Sequence, residues 1–318
     1  MEPLSTIRLG ISRCLLGHPV RYDGGHKHDP FLTQTLGQYV HYVPVCPEVE
    51  CGLPVPREAM RLVRTPQGVR LVTQKTGIDH TDRMLAWAAP RLDALEEEGL
   101  CGFIFKSKSP SSGMERVKIY GDKGQVVDHG SGIFAGLFMA RFPLLPVEEE
   151  GRLHDPLLRE NFIDRIFCLQ RFRESVEKEP SLGALVQFHA CHKLQILSHS
   201  TEHYRALGRL VAHAKGQPLA EVVRAYRELL LAALRLKATV PKNRNVLQHI
   251  MGYFKLDLTH EEKRELEDII RQYARGILPL IVPVTLLSHY ARKYEVRYLL
   301  EQTYLNPHPL ELKLRNHA

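Results

Sequence analysis

Short apolar runs alternate with polar loops through the first half of the chain. Residues 7–11, 42–45 and 102–105 are brief, rich in β-branched or aromatic side chains, and bounded by Gly, Pro or polar residues, the pattern of buried strands. A helix is expected at 30–39, between the first two. Residues 60–63 and 69–72 predict a hairpin turning at Pro66-Gln67-Gly68. Met84, Leu85, Ala88, Leu92 and Leu95 recur at helical spacing within 79–98, and Gly99 stops that helix. Strands at 117–120 and 126–127 flank the turn Asp122-Lys123-Gly124, and 133–142 is a short helix. This alternation implies an α/β, Rossmann-like domain with a mostly parallel sheet covered on both faces.

After Pro143-Leu144-Leu145-Pro146 and the acidic run Glu148-Glu149-Glu150 the texture changes. Helical periodicity takes over at 161–175, 182–207, 219–233, 244–255, 260–275, 284–294 and 298–304, with breaks at Pro180, Pro241 and Pro279. The expected division is an α/β domain at 1–152 and an all-α domain at 153–318.

Composition narrows the class. The chain has 318 residues, 44% hydrophobic and 25% charged, ordinary for a globular protein. No apolar run approaches the roughly 18 residues of a membrane span. The start, Met1-Glu2-Pro3-Leu4-Ser5-Thr6, lacks a basic segment followed by an apolar one, so no secretory signal and a cytoplasmic location are expected. Six cysteines in such a setting point to metal ligands or catalytic thiols rather than structural disulfides. The net charge of +7 is uneven: residues 1–152 carry 18 basic and 18 acidic side chains, residues 153–318 carry 25 and 18. A neutral half joined to a basic half suggests a polyanionic partner for the second, nucleic acid foremost.

The chemistry concentrates where the three strands end. Cys14 follows the first, Cys46, Glu48 and Cys51 the second, and Ser107, Ser109, Ser111, Ser112 and Gly113 the third, beside Lys106 and Lys108. In open α/β sheets ligands bind outside the carboxyl ends of the strands. Parallel neighbours would bring these groups together as thiolates, a carboxylate and a hydroxyl-rich, anion-binding loop. Cys14, Cys46 and Cys51 are candidate metal ligands, and Glu48 a further ligand or a general acid/base. Cys101 opens its strand, a strand length from the end where the crevice lies, and so misses it; Cys168 and Cys191 fall on helices as core thiols.

Cys14-Leu15-Leu16-Gly17, Val20-Arg21-Tyr22-Asp23-Gly24-Gly25, Cys46-Pro47-Glu48, Gly52-Leu53-Pro54, Pro56-Arg57 and the stretch from Lys106 to Gly113 closely resemble the thiouracil desulfidases. The second half resembles the helical domain fused to that enzyme in the tRNA 4-thiouridine desulfidases, through Asn245-Val246-Leu247-Gln248-His249, Gly252-Tyr253-Phe254-Lys255, Pro279-Leu280-Ile281-Val282-Pro283 and Tyr304-Leu305-Asn306-Pro307. The resemblance implies a [4Fe–4S] cluster held by three cysteines, with one open iron that accepts the sulfur of a thiolated base in a non-redox reaction. It assigns ligands Cys14 and Cys51, the catalytic carboxylate Glu48 and the assisting Ser109. The third cysteine of the pattern falls at Ser112, so the third ligand is either Ser112 or Cys46. The implied substrate is 4-thiouridine in tRNA, converted to uridine; the alternatives are a free thiouracil-type base, or a non-catalytic RNA-binding iron–sulfur protein. The oligomeric state is unspecified.

Lys106 and Ser111 are expected to bind substrate. Arg292, Lys293 and Arg297, with Lys242, Arg244, Lys255, Tyr253, Phe254 and Tyr290, form a basic and aromatic set suited to RNA. His189, His192, His199 and His203 fall within one helical face, expected to be a polar surface toward the crevice or RNA.

Overall fold

A computed structural model describes residues 7–316. The amino-terminal stretch read above for a secretory signal lies outside them. The chain divides into two units, one ending at Asp155 and the next beginning at Pro156.

The first unit runs β1 (Ile7–Ser12), β2 (Val40–Val45), α1 (Pro47–Glu50), β3 (Met60–Thr65), β4 (Gly68–Thr73), α2 (Thr81–Glu97), β5 (Gly102–Phe105), β6 (Val117–Tyr120), β7 (Val126–Gly130), α3 (Ile133–Arg141) and β8 (Val147–Glu149). Four of these strands make a parallel sheet in the order β2-β1-β5-β8. Its register sets Ser12 beside Val45, Ile11 beside Ile104 and Phe105 beside Glu149, so four chain segments leave the sheet at one edge. Phe103, Phe105, Phe134 and Phe138 pack with Ala88, Leu92 and Leu95 to fasten α2 and α3 to this sheet. Gly10 is dictated by that packing, since a Cβ there would sit 2.2 Å from the Phe103 ring.

The expectation of one sheet is corrected. The hairpin strands and the pair at 117–130 form a second, mixed sheet, β4-β3-β6-β7, with its own apolar cluster of Leu62, Leu71, Val117 and Ile119 against Met84. The expected helix at 30–39 is also corrected: it is a wide π-type turn, Phe31–Thr35, followed by a 3-10 turn, Leu36–Gln38. The buried Asp29 carboxylate accepts the Leu32 N–H, and the Thr33 hydroxyl donates to the Asp29 carbonyl. Such side-chain bonds compete with the helical ladder.

The acidic run is not a linker. Glu148 and Glu149 are buried in β8. Glu148 pairs with Arg152 at 2.6 Å, and Glu149 accepts the Met114 N–H at 2.8 Å.

The second unit comprises α4 (Pro156–Phe172), α5 (Leu182–His199), α6 (Thr201–Ala212), α7 (Leu219–Arg235), α8 (Val240–Met251), α9 (His260–Ala274), α10 (Ile281–Lys293) and α11 (Arg297–Leu300). No described helix is long and apolar enough to cross a membrane. The single helix expected at 182–207 is two: Ser200 is extended (φ −159°) and its hydroxyl accepts the His203 N–H, capping α6. The helix expected at 298–304 shrinks to α11 and a 3-10 turn, Thr303–Leu305.

The break at Ser200 dissolves the proposed histidine face. His189 Nδ1 meets the Tyr226 hydroxyl at 3.0 Å. His192 and His199 are buried and direct Nδ1 at the carbonyls of Phe188 (2.8 Å) and Leu236 (2.6 Å). His203 pairs with the Ser200 hydroxyl at 2.9 Å. Burial pushes His192 down to about 3 and His199 to about 4, so both are neutral core groups.

Candidate active site

The loops that leave the parallel sheet are tied to one another before they reach any ligand. The Ser12 hydroxyl, at the end of β1, accepts the Lys106 N–H from the β5 loop at 2.9 Å. The Cys14 carbonyl accepts N–H bonds from Gly17 (3.3 Å) and Lys27 (2.9 Å), folding the first loop back on itself; Gly17, at φ +92°, supplies the left-handed turn. Pro47 opens α1, where a missing N–H costs nothing, and the Cys46 N–H is taken by Glu50 Oε1 at 2.8 Å. The third loop is clamped by the start of α3: the N–H groups of Gly132, Ile133 and Ala135 donate to the carbonyls of Gly113, Pro110 and Ser111. A Cβ on Gly132 would lie 2.5 Å from the Ser111 carbonyl carbon, so only glycine permits this approach.

These loops enclose a cleft of about 370 Å³. Cys14, Cys46, Glu48, Lys106, Ser109 and Ser112 all line it. Ser111 is fully buried and outside the lining, but its hydroxyl donates to Glu48 Oε1 at 2.5 Å. Cys51 is also outside the lining; its thiol donates to the Glu48 carbonyl at 3.2 Å, at the far end of the α1 turn. Glu48 Oε2 faces the Cys46 thiol at 3.5 Å and Arg57 at 3.8 Å. Ser109 and Ser111 share a hydrogen bond of 3.0 Å, and the Ser112 N–H donates to the Ser109 hydroxyl.

Glu48 is the one carboxylate on the cleft wall, against Arg13, Arg21, Lys27, Arg57, Lys106 and Lys108. Three of these are engaged: Lys106 by Glu150 at 2.5 Å, Arg21 by Asp23 at 3.2 Å and Arg57 by Glu48 itself at 3.8 Å. The cleft thiols sit high. Burial, then the charge of Glu48, pushes Cys14 up to about 11 and Cys46 up to about 12; the same causes raise Cys51. All three thiols therefore feel the Glu48 carboxylate, whichever of them faces the cleft. Among the described residues no three His, Cys, Asp or Glu side chains converge as a site for a single metal ion.

Two family models match the chain. The model of the 2-thiouracil desulfurase family matches residues 9–150, and that of a family of unknown function, DUF1722, matches residues 193–309. The [4Fe-4S]-dependent thiouracil desulfidase TudS is 30% identical, aligning over 47% of this chain and 95% of that one, with a TM-score of 0.37. The chain belongs to the thiouracil desulfidase family. It is also 33% identical over 153 residues to the uncharacterized protein YbgA of Escherichia coli (strain K12), covering 48% of this chain and 90% of that protein.

The thiouracil desulfidase match spans both sheets and all three loops of the first unit. Two site features escape sequence reasoning. Arg57 reaches the cleft through Nη1 on the Val20 carbonyl at 3.1 Å, a contact between residues 37 positions apart. Glu150 holds Lys106 and the Ser107 N–H from the acidic run, whose pairing as a strand gave no apolar signal.

The RNA set divides. Phe254 and Tyr290 are buried in the apolar core of the second unit, so they offer no stacking surface. Lys242 caps the carbonyls of His199 and Lys237. Lys293 is exposed but paired with Glu262 at 2.6 Å. Arg244, Tyr253, Lys255, Arg292 and Arg297 are exposed.

Proposed function

We propose that the first unit hydrolyses the thiocarbonyl of a thiolated pyrimidine without net redox change, and that the substrate is 4-thiouridine in tRNA, released as uridine. The observation that carries the reading is Glu48 standing among thiols in a cleft whose other charges are all basic. A [4Fe–4S] cluster fits the donor set: Cys14 and Cys46 offer buried thiols on the cleft wall, Cys51 a third thiol behind Glu48, and Ser112 a hydroxyl. Cys14 and Cys51 would hold it, with Cys46 or the Ser112 oxygen as the third ligand. When bound, it supplies a soft Lewis acid for the thiocarbonyl sulfur.

The chain's own residues do the rest. Glu48 accepts the proton of the attacking water at Oε2, the oxygen not held by Ser111, and returns it to the departing sulfur. Arg57, 3.8 Å from Oε2, places a cation beside that oxygen. Ser109 presents a hydroxyl on the cleft wall to the base. Arg13, Lys27 and Lys108 suit the phosphates of a nucleotide. The basic excess beyond residue 152 supports a polynucleotide substrate. Six free thiols accord with a cytoplasmic setting.

The cleft volume favours a second reading, because about 370 Å³ also suits a free base. One experiment separates the two. Anaerobically iron-loaded protein is incubated with bulk tRNA and, separately, with free 4-thiouracil, following thiocarbonyl absorbance and released sulfide. Loss of the tRNA signal supports the first reading. Consumption of free base with the tRNA signal unchanged replaces it by the second.

A further inference from the structure

The mechanism above gives Ser111 no substrate contact, yet it makes the shortest hydrogen bond to the catalytic carboxylate. Its Oγ lies 2.5 Å from Glu48 Oε1, it is fully buried, and it bridges to Ser109 at 3.0 Å and to Ser112 at 3.4 Å. Its own backbone is immobilised, because its carbonyl accepts the Ala135 N–H of α3 and Gly132 presses against it. A hydroxyl with one proton donates once. The carboxylate can only accept, so the proton of Ser111 goes to Glu48 and Ser111 in turn accepts from Ser109.

We infer that Ser111 is the positioning residue of this site: it fixes the rotamer of the Glu48 carboxylate and joins it, through a hydroxyl chain, to Ser109 at the cleft wall. Glu48 has three rotatable bonds, and its other partners are looser, the Cys46 thiol at 3.5 Å and Arg57 at 3.8 Å, both on Oε2. Without Ser111 the Oε1 oxygen has no short tether, and the carboxylate swings toward Arg57. A misplacement of that kind lowers the rate of a proton transfer without weakening substrate binding. The inference rests on the desulfidase reading for its kinetic consequence, though not for its structural one.

The test is a double-mutant cycle on the full-length, iron-loaded protein. Ser111→Ala should lower kcat for thiolated substrate by about tenfold to a hundredfold, the loss expected for one hydrogen bond to a charged group, with KM and iron content unchanged. In a Glu48→Asp background, whose shortened carboxylate no longer reaches Ser111, the same change should cost less than about twofold. Losses that multiply in full, or a drop in iron content or in substrate affinity with Ser111→Ala, overturn the inference by making Ser111 a loop-building or binding residue. A crystal structure of Ser111→Ala is the second arm. The Glu48 carboxylate should leave its place toward Arg57, and an unmoved Glu48 overturns the inference. This arm decides even if the wild-type protein releases no sulfide, a result that would sink the desulfidase reading by itself.

Discussion

The two units bury charge in opposite ways. In the first, buried and half-buried polar groups converge on an open cleft and are paired: Glu48 with Ser111 and Arg57, Glu150 with Lys106 of the cleft wall. In the second, they close over a core and fasten the end of the chain. Arg315 is buried against Glu160 at 3.1 Å and donates to the Tyr304 carbonyl; His308 lies 3.6 Å from Asp164; Arg171 reaches the Pro307 carbonyl at 2.5 Å. Burying an ion pair brings little net stability, whereas removing one partner is expensive. The first arrangement therefore reads as chemistry held ready, and the second as a latch that specifies where residues 302–315 lie. The distinction has consequences that can be measured separately.

The largest effects belong to the cleft. Cys14→Ala should abolish iron binding in anaerobically prepared protein, because it removes the thiol that follows β1 on the cleft wall. Full iron retention would remove the cluster from the proposal. Glu48→Gln should retain the iron and its visible absorbance while turnover falls by about 10²- to 10⁴-fold, since an amide cannot carry the proton. If both iron and activity disappear, Glu48 is a ligand or a folding residue, and the cleft resembles the latch more than the contrast allows.

The latch comes next. Arg315→Met removes the buried cation that pairs with Glu160 and faces Asp164, and should cost about 3–5 kcal/mol of stability in denaturant titration. Iron content and free-base turnover of the folded variant should stay at wild-type level. A stability loss below about 1 kcal/mol would mean that the latch is solvated and the contrast false.

Acid should also act on the second unit. Burial pushes His189, His192, His199 and His308 down to about 4, 3, 4 and 3, so each is neutral when folded. Unfolded, each takes up a proton below its ordinary value of 6.5. Their contribution is complete above pH 6.5 and is lost as pH falls through the folded values, at about 1.4 kcal/mol per pH unit for each histidine. Asp164 opposes this more weakly: burial raises its carboxyl, so its own contribution is lost as pH rises. Four groups outweigh one, and the unit should weaken on acidification between pH 6 and pH 4. His192→Phe should flatten the slope by one proton; an unchanged slope would show that His192 is already solvated.

What the sequence made legible follows the same divide. The cleft could be read because its groups sit on short apolar strands with distinct periodicity, and β1, β5 and β6 fall where the pattern puts them. Parallel adjacency of β2, β1 and β5 then brings Cys14, Cys46, Glu48 and Ser109 together. What stayed hidden is held by polar pairing. Glu148-Glu149-Glu150 looks like a solvated boundary until Arg152, the Met114 N–H and Lys106 are seen to meet it. Ser200 ends a helix that apolar spacing carries straight through, because a capping hydroxyl leaves no mark on hydrophobic periodicity. Tyr290 and Phe254 looked available to RNA because aromatic residues serve cores and bases alike. Basic composition predicts a polyanion but does not tell a free cation from a paired one.

That last ambiguity sets the smallest prediction and the most discriminating. If the second unit binds RNA through surface charge, binding must weaken with salt as counterions condensed on the phosphates are no longer released. Arg292 and Arg297 are exposed, whereas Lys293 is exposed and paired with Glu262. Arg292→Ala and Arg297→Ala should each lower the slope of log affinity against log salt by about 0.9 in magnitude, the share of one phosphate contact, with no change in iron content. Lys293→Ala frees the Glu262 carboxylate as it removes a cation, so its effect on affinity should be no smaller than that of an arginine while its main structural cost is local to α9 and α10. Equal slopes for wild type and both arginine variants would place the RNA contacts elsewhere on the unit. A binding constant independent of salt would mean that the second unit's charge, like that of Arg315, is structural.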